Sequence, residues 1–302
     1  MRILGILIQR NIKLFFKDKG TFLISLIAPL IILVLFITFL GGIYKNVFIP
    51  TDENMLPELP SQLINGFCGG WLLSCLLAVC TVTVAFSANM CMVKDKTSGV
   101  VNDFYITTVK KSILALGYYI ATTIVTLIIC LVTLGIGFIY IACVGWFISV
   151  KDVFLILLDV VILVLFGTAL SSIICSLINS QGGITAVTTI VSSMYGFLCG
   201  AYMPISEFST GIQNVIMLLP GSYGTSLLHR HFLSGALEEI ETTYHYPYID
   251  EFKKSFDIDL TFFSHKVSPE TNYIVVISSV IVLIGIYLSL IHISEPTRPI
   301  SI

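Results

Sequence analysis

Six long apolar runs constrain the fold of this 302-residue chain more than any other feature. A bilayer core about 30 Å thick needs about 20 apolar helical residues, and each run approaches that length. Hydrophobic residues make up 56% of the chain, charged residues only 11%, and the mean hydropathy is +0.96. Such a composition predicts an all-α polytopic membrane protein. The six predicted transmembrane helices are Thr21 to Ile43, Leu63 to Phe86, Leu116 to Ile141, Val153 to Ile178, Ile184 to Met203, and Tyr273 to Ile291.

The positions of lysine and arginine predict how these helices are oriented. Such residues concentrate on the cytoplasmic side of membrane proteins, chiefly in short loops. Here they cluster before the first run and between the second and third, whereas the loops after the first and third runs carry Lys45 and Lys151. We therefore expect a multi-pass plasma-membrane protein with both termini in the cytoplasm. The clustered residues are Arg2, Arg10, Lys13, Lys17, Lys19, Lys94, Lys96, Lys110 and Lys111.

The two ends of the chain differ from the transmembrane domain predicted at 21–291. Residues 1–20 place most of their cations within an arc of about 80°, at about 100° per residue, beside an apolar arc. This pattern predicts an amphipathic helix in the inner membrane interface. The alternative is a positive flank that only sets topology. Residues 292–302 resemble a translated sequencing adapter, so we expect a non-native tail there.

Two segments outside the runs carry more specific patterns. The fifth run ends at Gly200 to Ile205, and a mixed stretch then leads to Leu219 through Tyr223. Proline lacks a backbone donor, so Pro204 and Pro220 are predicted to break helices here. The other segment is a compact charged loop at 87–112, between the second and third runs.

These segments resemble the permeases of type-2 ATP-binding-cassette exporters. The stretch from Gly200 to Tyr223 is similar to the end of the fifth helix in those permeases, and the loop at 87–112 is similar to their cytoplasmic coupling loop. Asp95 stands where Glu is usual in that loop, Gly99 matches, and Thr108 stands where Pro is common. The resemblance covers nearly the whole chain, up to about Leu290.

The resemblance implies the membrane-spanning permease subunit of an ATP-driven exporter, which forms the substrate pathway. It implies a second permease copy or a sister permease as partner, together with a P-loop ATPase subunit. The chain has no G-x-x-x-x-G-K-[ST] loop, so it is not expected to be an enzyme or to bind a cofactor, and ATP and magnesium are expected on the ATPase. Substrates of the family include drugs, peptides, lipids and glycans. The residues expected to couple the ATPase are Asp95, Lys96, Gly99, Asp103, Phe104 and Thr108; a loop that only sets topology would look similar.

Polar residues inside the runs are candidates for the pathway. Hydroxyl side chains there more often link helices by hydrogen bonds. Asp159, the only acidic residue inside a predicted run, could reach the outer interface, pair helices or contact substrate. It is also the intramembrane charge that the alternative function needs, an ion-coupled secondary transporter or channel without an ATPase. The candidate pathway residues are Thr81, Asp159, Ser192, Ser193 and Tyr195.

The segment 204–272 is predicted to be external, with a re-entrant part followed by a small ordered cap. Interspersed aromatic residues favour order in its acid-rich second half. The pair His229 and His231 could suggest a metal site, but a two-residue spacing separates their rings by about 200° on a helix and no nearby Cys completes such a site. We therefore expect both histidines to be interfacial or solvated. The net charge of −2 gives no electrostatic case for binding nucleic acid.

Overall fold

The described parts of the chain are mostly helical. The computed structural model describes residues 2–35, 59–106, 109–245, 249–263 and 265–293, so most of the predicted non-native tail lies outside the described residues. The described helices are α1 (Arg2–Lys17), α2 (Lys19–Leu35), α3 (Ser61–Thr97), α4 (Val100–Ile106), α5 (Lys111–Val144), α6 (Val150–Leu177), α7 (Gln181–Leu198), α8 (Thr210–Ile216), α9 (Pro220–Thr242), α10 (Ile249–Ser255) and α11 (Pro269–Ile293). A 3-10 turn covers Ile205–Glu207, and β1 (Thr261–Phe262) pairs antiparallel with β2 (His265–Lys266).

Four of the described helices, α3, α5, α6 and α11, are long and apolar enough to cross a membrane. They confirm an all-α polytopic membrane protein. Helix α2 contributes 17 residues, and the rest of the first predicted run, 36–43, lies outside the described ranges. Helix α7 falls on the fifth run but has only 18 residues, many of them Thr, Ser or Gly. Six spans therefore stay a prediction.

Helix α3 lies at the centre of the bundle. Its most apolar 18-residue window is fully buried inside the protein, among α2, α5, α6, α7 and α9. Small residues permit this crowding: a Cβ added at Gly167 of α6 would collide with the backbone carbonyl of Thr81 in α3. Small residues let membrane helices approach until their backbones touch. The core of the molecule is therefore built around α3.

The ends of α3, α5, α6 and α11 are joined by hydrogen bonds at one end of the bundle. The hydroxyl of Tyr118, near the start of α5, donates to Asp95 near the end of α3, at 2.5 Å. Lys96 donates to the carbonyl of Ser176 at the end of α6, at 2.6 Å. Tyr287, near the end of α11, donates to the carbonyl of Ala115 at 3.1 Å. Because α4 lies here, between α3 and α5, we call this end the α4 end.

The segment 204–272 folds against the bundle at the opposite end. Pro204 lies between α7 and the 3-10 turn, and Pro220 is the first residue of α9. Helix α9 packs against α3, α6 and α11 rather than standing apart. In the cap, Phe256, which directly follows α10, packs on Phe67 of α3 with ring centroids 5.0 Å apart.

Both histidines of α9 are buried inside the protein, so the expectation that they are interfacial or solvated was wrong. His229 is 0% exposed and stacks on the Trp71 ring at 5.7 Å between centroids, while its Nδ1 lies 2.9 Å from the hydroxyl of Ser74. His231 is 8% exposed. The spacing argument placed the two rings on different sides of one helix correctly, but α9 has neighbours on both sides.

Candidate functional site

The predicted coupling loop is largely helical. Helix α3 continues past the predicted boundary at Phe86 and ends at Thr97. The chain turns at Gly99, whose φ of +82° lies in the left-handed region that glycine adopts without strain. The amide of Asn102 donates to the Gly99 carbonyl at 2.9 Å, which starts α4. Thr108, the last predicted coupling residue, lies outside the described residues.

Asp95 is an internal anchor of this region. It is 7% exposed, and its carboxylate accepts two hydrogen bonds from Arg10 of α1, at 2.5 and 3.0 Å, besides the one from Tyr118. Such two-point pairing is among the strongest side-chain interactions, and the hydrogen bond to Asp95 raises the pKa of Arg10 above its ordinary value. The Arg10 guanidinium also lies 5.5 Å from the ring centroid of Phe104 in α4. We call Arg10, Asp95, Tyr118 and Phe104 the brace.

Two lysines of α3 tie the same turn to neighbouring helices. Lys94 donates to Asp18 at 2.6 Å, and Asp18 caps α2 by accepting from the amide of Thr21 at 3.1 Å. The hydrogen bond from Lys94 holds the pKa of Asp18 well below its usual range. Lys96 binds carbonyls at the end of α6, where a cation is favoured by the helix dipole. The side chains of Lys94, Asp95 and Lys96 therefore all bond within the protein, although those of Lys94 and Asp18 stay about 40% exposed.

The outer face of α4 remains open. Val101 is buried and Phe104 is half-buried, which fixes α4 to the bundle. Asn102 and Asp103 are exposed on the other side. Ile106 is 86% exposed, the highest value among the large apolar side chains that the structure describes. This short amphipathic helix is held to the bundle on one side and exposes an apolar residue and a carboxylate on the other. Such a surface can bind a soluble protein.

Comparison with known sequences decides the family. A profile of the ABC-2 type transporter family matches residues 3–232, a stretch that begins in α1, contains α4 and ends in α9. The chain belongs to the ABC-2 type transporter family. It is a membrane permease, and the permeases of this family associate with an ATP-binding cassette subunit. No curated protein and no solved structure matches the chain.

Asp159 of the ABC-2 permease bridges three helices. It is 1% exposed; one carboxylate oxygen lies 2.6 Å from Nδ1 of His231 in α9, and the other accepts from the Tyr273 hydroxyl of α11 at 2.7 Å. Asp159 itself belongs to α6. Of the readings the sequence left open, these contacts favour helix pairing. The sequence could not show the partners, because they lie more than 70 residues away.

The other candidate pathway residues of the permease are not brought together. Thr81 is 0% exposed and donates to the Ala78 carbonyl at 2.8 Å. Ser192 and Tyr195 are half-buried on α7, whereas Ser193 is exposed. Of the candidate pathway residues, Ser193 alone is exposed on the surface of the single chain.

An exposed row of hydroxyl groups follows α7 at intervals of four residues. Thr185, Thr189 and Ser193 are exposed, and each hydroxyl donates to a carbonyl of its own helix at 2.9 to 3.1 Å. Two bulky apolar residues, Ile190 and Met194, are exposed beside them at 55% and 53%. Sequence reasoning found Ser193 and missed the two threonines, although the four-residue spacing was available to find them.

Asp257 holds the turn that follows α7. It is 4% exposed and accepts from the backbone amides of Ile205 and Ser206, at 2.5 and 3.3 Å. Burial raises the pKa of Asp257 to about 7, against the lowering effect of the two amides. The sequence analysis noted only that this half of the segment is rich in acidic residues, and no local pattern distinguishes Asp257 among them.

Proposed function

We propose that this chain is the permease subunit of an ATP-driven exporter and is coupled to a separate P-loop ATPase through α4. The observation that carries the proposal is the brace. It fixes α4 at once to α1, α3 and α5, while the outer face of α4 stays open. A partner that binds this face would push on three helices together.

Rigid packing of the helices would couple the movement of α4 to the rest of the bundle. Packed helices transmit displacement because their interfaces shift as units rather than deform continuously. The ATPase would bind ATP and magnesium, and its closure would move α4. The bidentate pair between Arg10 and Asp95 would carry that movement to α1 and α3 without loosening. Because lysine and arginine concentrate around α4, we expect this end to face the cytoplasm, with both termini, in a plasma-membrane protein of six spans.

The pathway is proposed to run between two permeases. A second copy, or a sister permease, would cover the exposed face of α7. Thr185, Thr189 and Ser193 would then line the space between the copies, together with Ile190 and Met194. Hydroxyl and apolar groups side by side favour amphipathic substrates, such as drugs or lipids.

Substitution on the open face of α4 tests the coupling. We would purify the complex from the native host in mild detergent and quantify co-purified P-loop ATPase for wild type and Ile106→Glu. A buried carboxylate without a partner is costly at an interface, so Ile106→Glu should lower ATPase recovery at least tenfold. Phe263→Glu, on a residue 64% exposed in the cap, is the matched control and should recover wild-type amounts. Equal recovery with Ile106→Glu and wild type would reject α4 as the docking element.

A further inference from the structure

A crevice of about 640 Å³ opens beside α9, at the end of the bundle opposite α4. Its size falls within the range of ligand pockets. Helix α9 supplies one wall, while α10, the loop after it, β2 and the start of α11 supply the rest. Charged side chains of both signs line the crevice: Arg230, Glu238, Glu241, Asp250, Lys253, Asp259 and Lys266.

The part of the crevice around Arg230 carries an excess of positive charge. Arg230 and Lys266 both pair with Asp259, at 2.6 and 2.8 Å. One carboxylate balances only one of the two cations. Lys266 is 64% exposed at its side chain, and an ammonium has three hydrogens to donate, so it can bind a further anion without leaving Asp259.

The part of the crevice around Glu238 carries an excess of negative charge. Glu241 of α9 pairs with Lys253 of α10 at 3.2 Å, which brings the two helices together here. Glu238 lies three residues before Glu241 on the same face of α9, and Asp250 lies three residues before Lys253 on α10. Both Glu238 and Asp250 are exposed, and neither side chain has an ion-pair partner among the described residues. Two carboxylates are therefore open to a cation.

The distance between the two parts selects the ligand. Arg230 and Glu238 are eight residues apart on α9, which is about 12 Å along a helix. A free amino acid or a zwitterionic lipid head group carries both charges within a few bonds and cannot reach both parts. Three extended peptide residues span about 10 Å. A peptide of this length places an ammonium and a carboxylate at the required separation.

We propose that the crevice binds a peptide of about three residues, with its amino terminus at Glu238 and Asp250 and its carboxylate at Arg230 and Lys266. Leu237 also lines the crevice and offers an apolar contact for small side chains. The ligand would bridge α9 to α10 and β2. The site includes no residue of α4 or of the brace, so it and the coupling through α4 can fail separately.

Isothermal titration calorimetry of the purified full chain with trialanine measures the binding. We expect trialanine to bind about fivefold more tightly than N-acetyl-trialanine, which lacks the ammonium, and than trialanine amide, which lacks the carboxylate, since each loses one partly exposed ion pair. Free alanine, which is too short to reach both parts, should also bind more weakly. Equal affinities for trialanine and its blocked forms would overturn the proposal, and so would no binding at millimolar trialanine. A loss with only one blocked form would overturn it too, because the crevice would then recognise a single charge.

Substitutions test where each end of the peptide lies. Glu238→Gln should weaken trialanine about fivefold and leave N-acetyl-trialanine unchanged, because the acetylated peptide has no ammonium to lose. Glu239→Gln removes the same charge one residue away, outside the described lining, and should bind trialanine as wild type does. Lys266→Gln should weaken trialanine but not trialanine amide, and Lys254→Gln, also outside the described lining, is its control.

Thermal unfolding in detergent shows whether each of these variants is folded. Equal weakening in a variant and its control would overturn the proposed placement. Equal weakening of the blocked and unblocked peptides by Glu238→Gln or Lys266→Gln would overturn it as well, because the side chain would then not bind the charge assigned to it.

Discussion

Asp95 is a predicted coupling residue that also holds helices of the α4 end together. The sequence placed it in the coupling loop, but its side chain binds Arg10 and Tyr118 inside the protein. Its role could not be predicted from the sequence, because Arg10 lies 85 residues away and a charged loop looks the same whether its side chains point in or out. Spacing located the loop, and packing decides what each residue in it does.

Removal of the Asp95 carboxylate should destabilise the permease strongly. Asp95→Ala leaves Arg10 and the Tyr118 hydroxyl without their acceptor, which should cost about 2–4 kcal/mol of unfolding free energy. Chemical unfolding in detergent measures this. The control is Lys94→Ala, which breaks a pair in which both side chains are about 40% exposed, so it should cost under about 1 kcal/mol. Equal losses would show that the brace does not exist in solution.

Asp159 should behave as a helix-pairing residue. Asp159→Asn keeps an acceptor for Tyr273 and should transport nearly as well as wild type per folded molecule. Asp159→Ala leaves the buried His231 and the half-buried Tyr273 without their partner and should lose about 2–3 kcal/mol of stability. Transport assayed at equal amounts of folded protein distinguishes the roles. If Asp159→Asn is folded but inactive, the carboxylate takes part in transport, and an ion-coupled mechanism gains support.

Asp257 should make the stability of the turn after α7 depend on pH. Its pKa is raised to about 7 in the folded state, from an ordinary value near 4, so between these values the folded form binds more protons than the unfolded form. Stability should therefore fall as pH rises from 4 to 7. The measurement is the unfolding temperature at pH 5 and pH 8 for wild type and Asp257→Asn. The variant should show a smaller decrease than wild type, and an identical decrease would remove Asp257 as the cause.

At the scale of elements, the sequence predicted the most apolar helices and missed α9, which is not apolar. Helices α3, α5, α6 and α11 fall on predicted runs, since hydropathy reports removal from water, whether into lipid or, as for α3, into the protein. Helix α9 contains Arg230 and Glu238 and was not predicted as part of the bundle. It packs there because Gly70 and Ser74 of α3 leave room for it, which a hydropathy pattern does not reveal.

The close approach of α3 and α6 can be tested with two alanines. Gly167→Ala would drive a Cβ into the Thr81 carbonyl, and such overpacking typically costs about 1–3 kcal/mol. Gly135→Ala, on α5, would meet nothing within 4 Å and should be neutral or slightly stabilising. Thermal unfolding of both variants in detergent gives the comparison. Similar stability in the two variants would mean that α3 and α6 lie farther apart than described.

At the scale of the whole molecule, the exposed face of α7 predicts contact between two permeases. Oligomers of one chain are usually closed by a two-fold axis, which brings the same face of each copy together. Ser193→Cys in a Cys143→Ser background should form cross-linked dimers in membranes on mild oxidation. Ser278→Cys, an equally small exposed change on α11, is the control and should remain monomeric. Cross-linking through Ser278→Cys alone would place the interface elsewhere.

The direct test of coupling through α4 is a cross-link from Ile106 in native membranes. With Ile106→Cys and a short thiol-to-amine reagent, mass spectrometry should identify a P-loop ATPase joined to this residue, and addition of ATP should change the yield. Phe263→Cys, at the opposite end, should give no such product. A purified cross-linked complex that contains no ATPase, from membranes in which the permease is folded and active, would contradict the coupling mechanism.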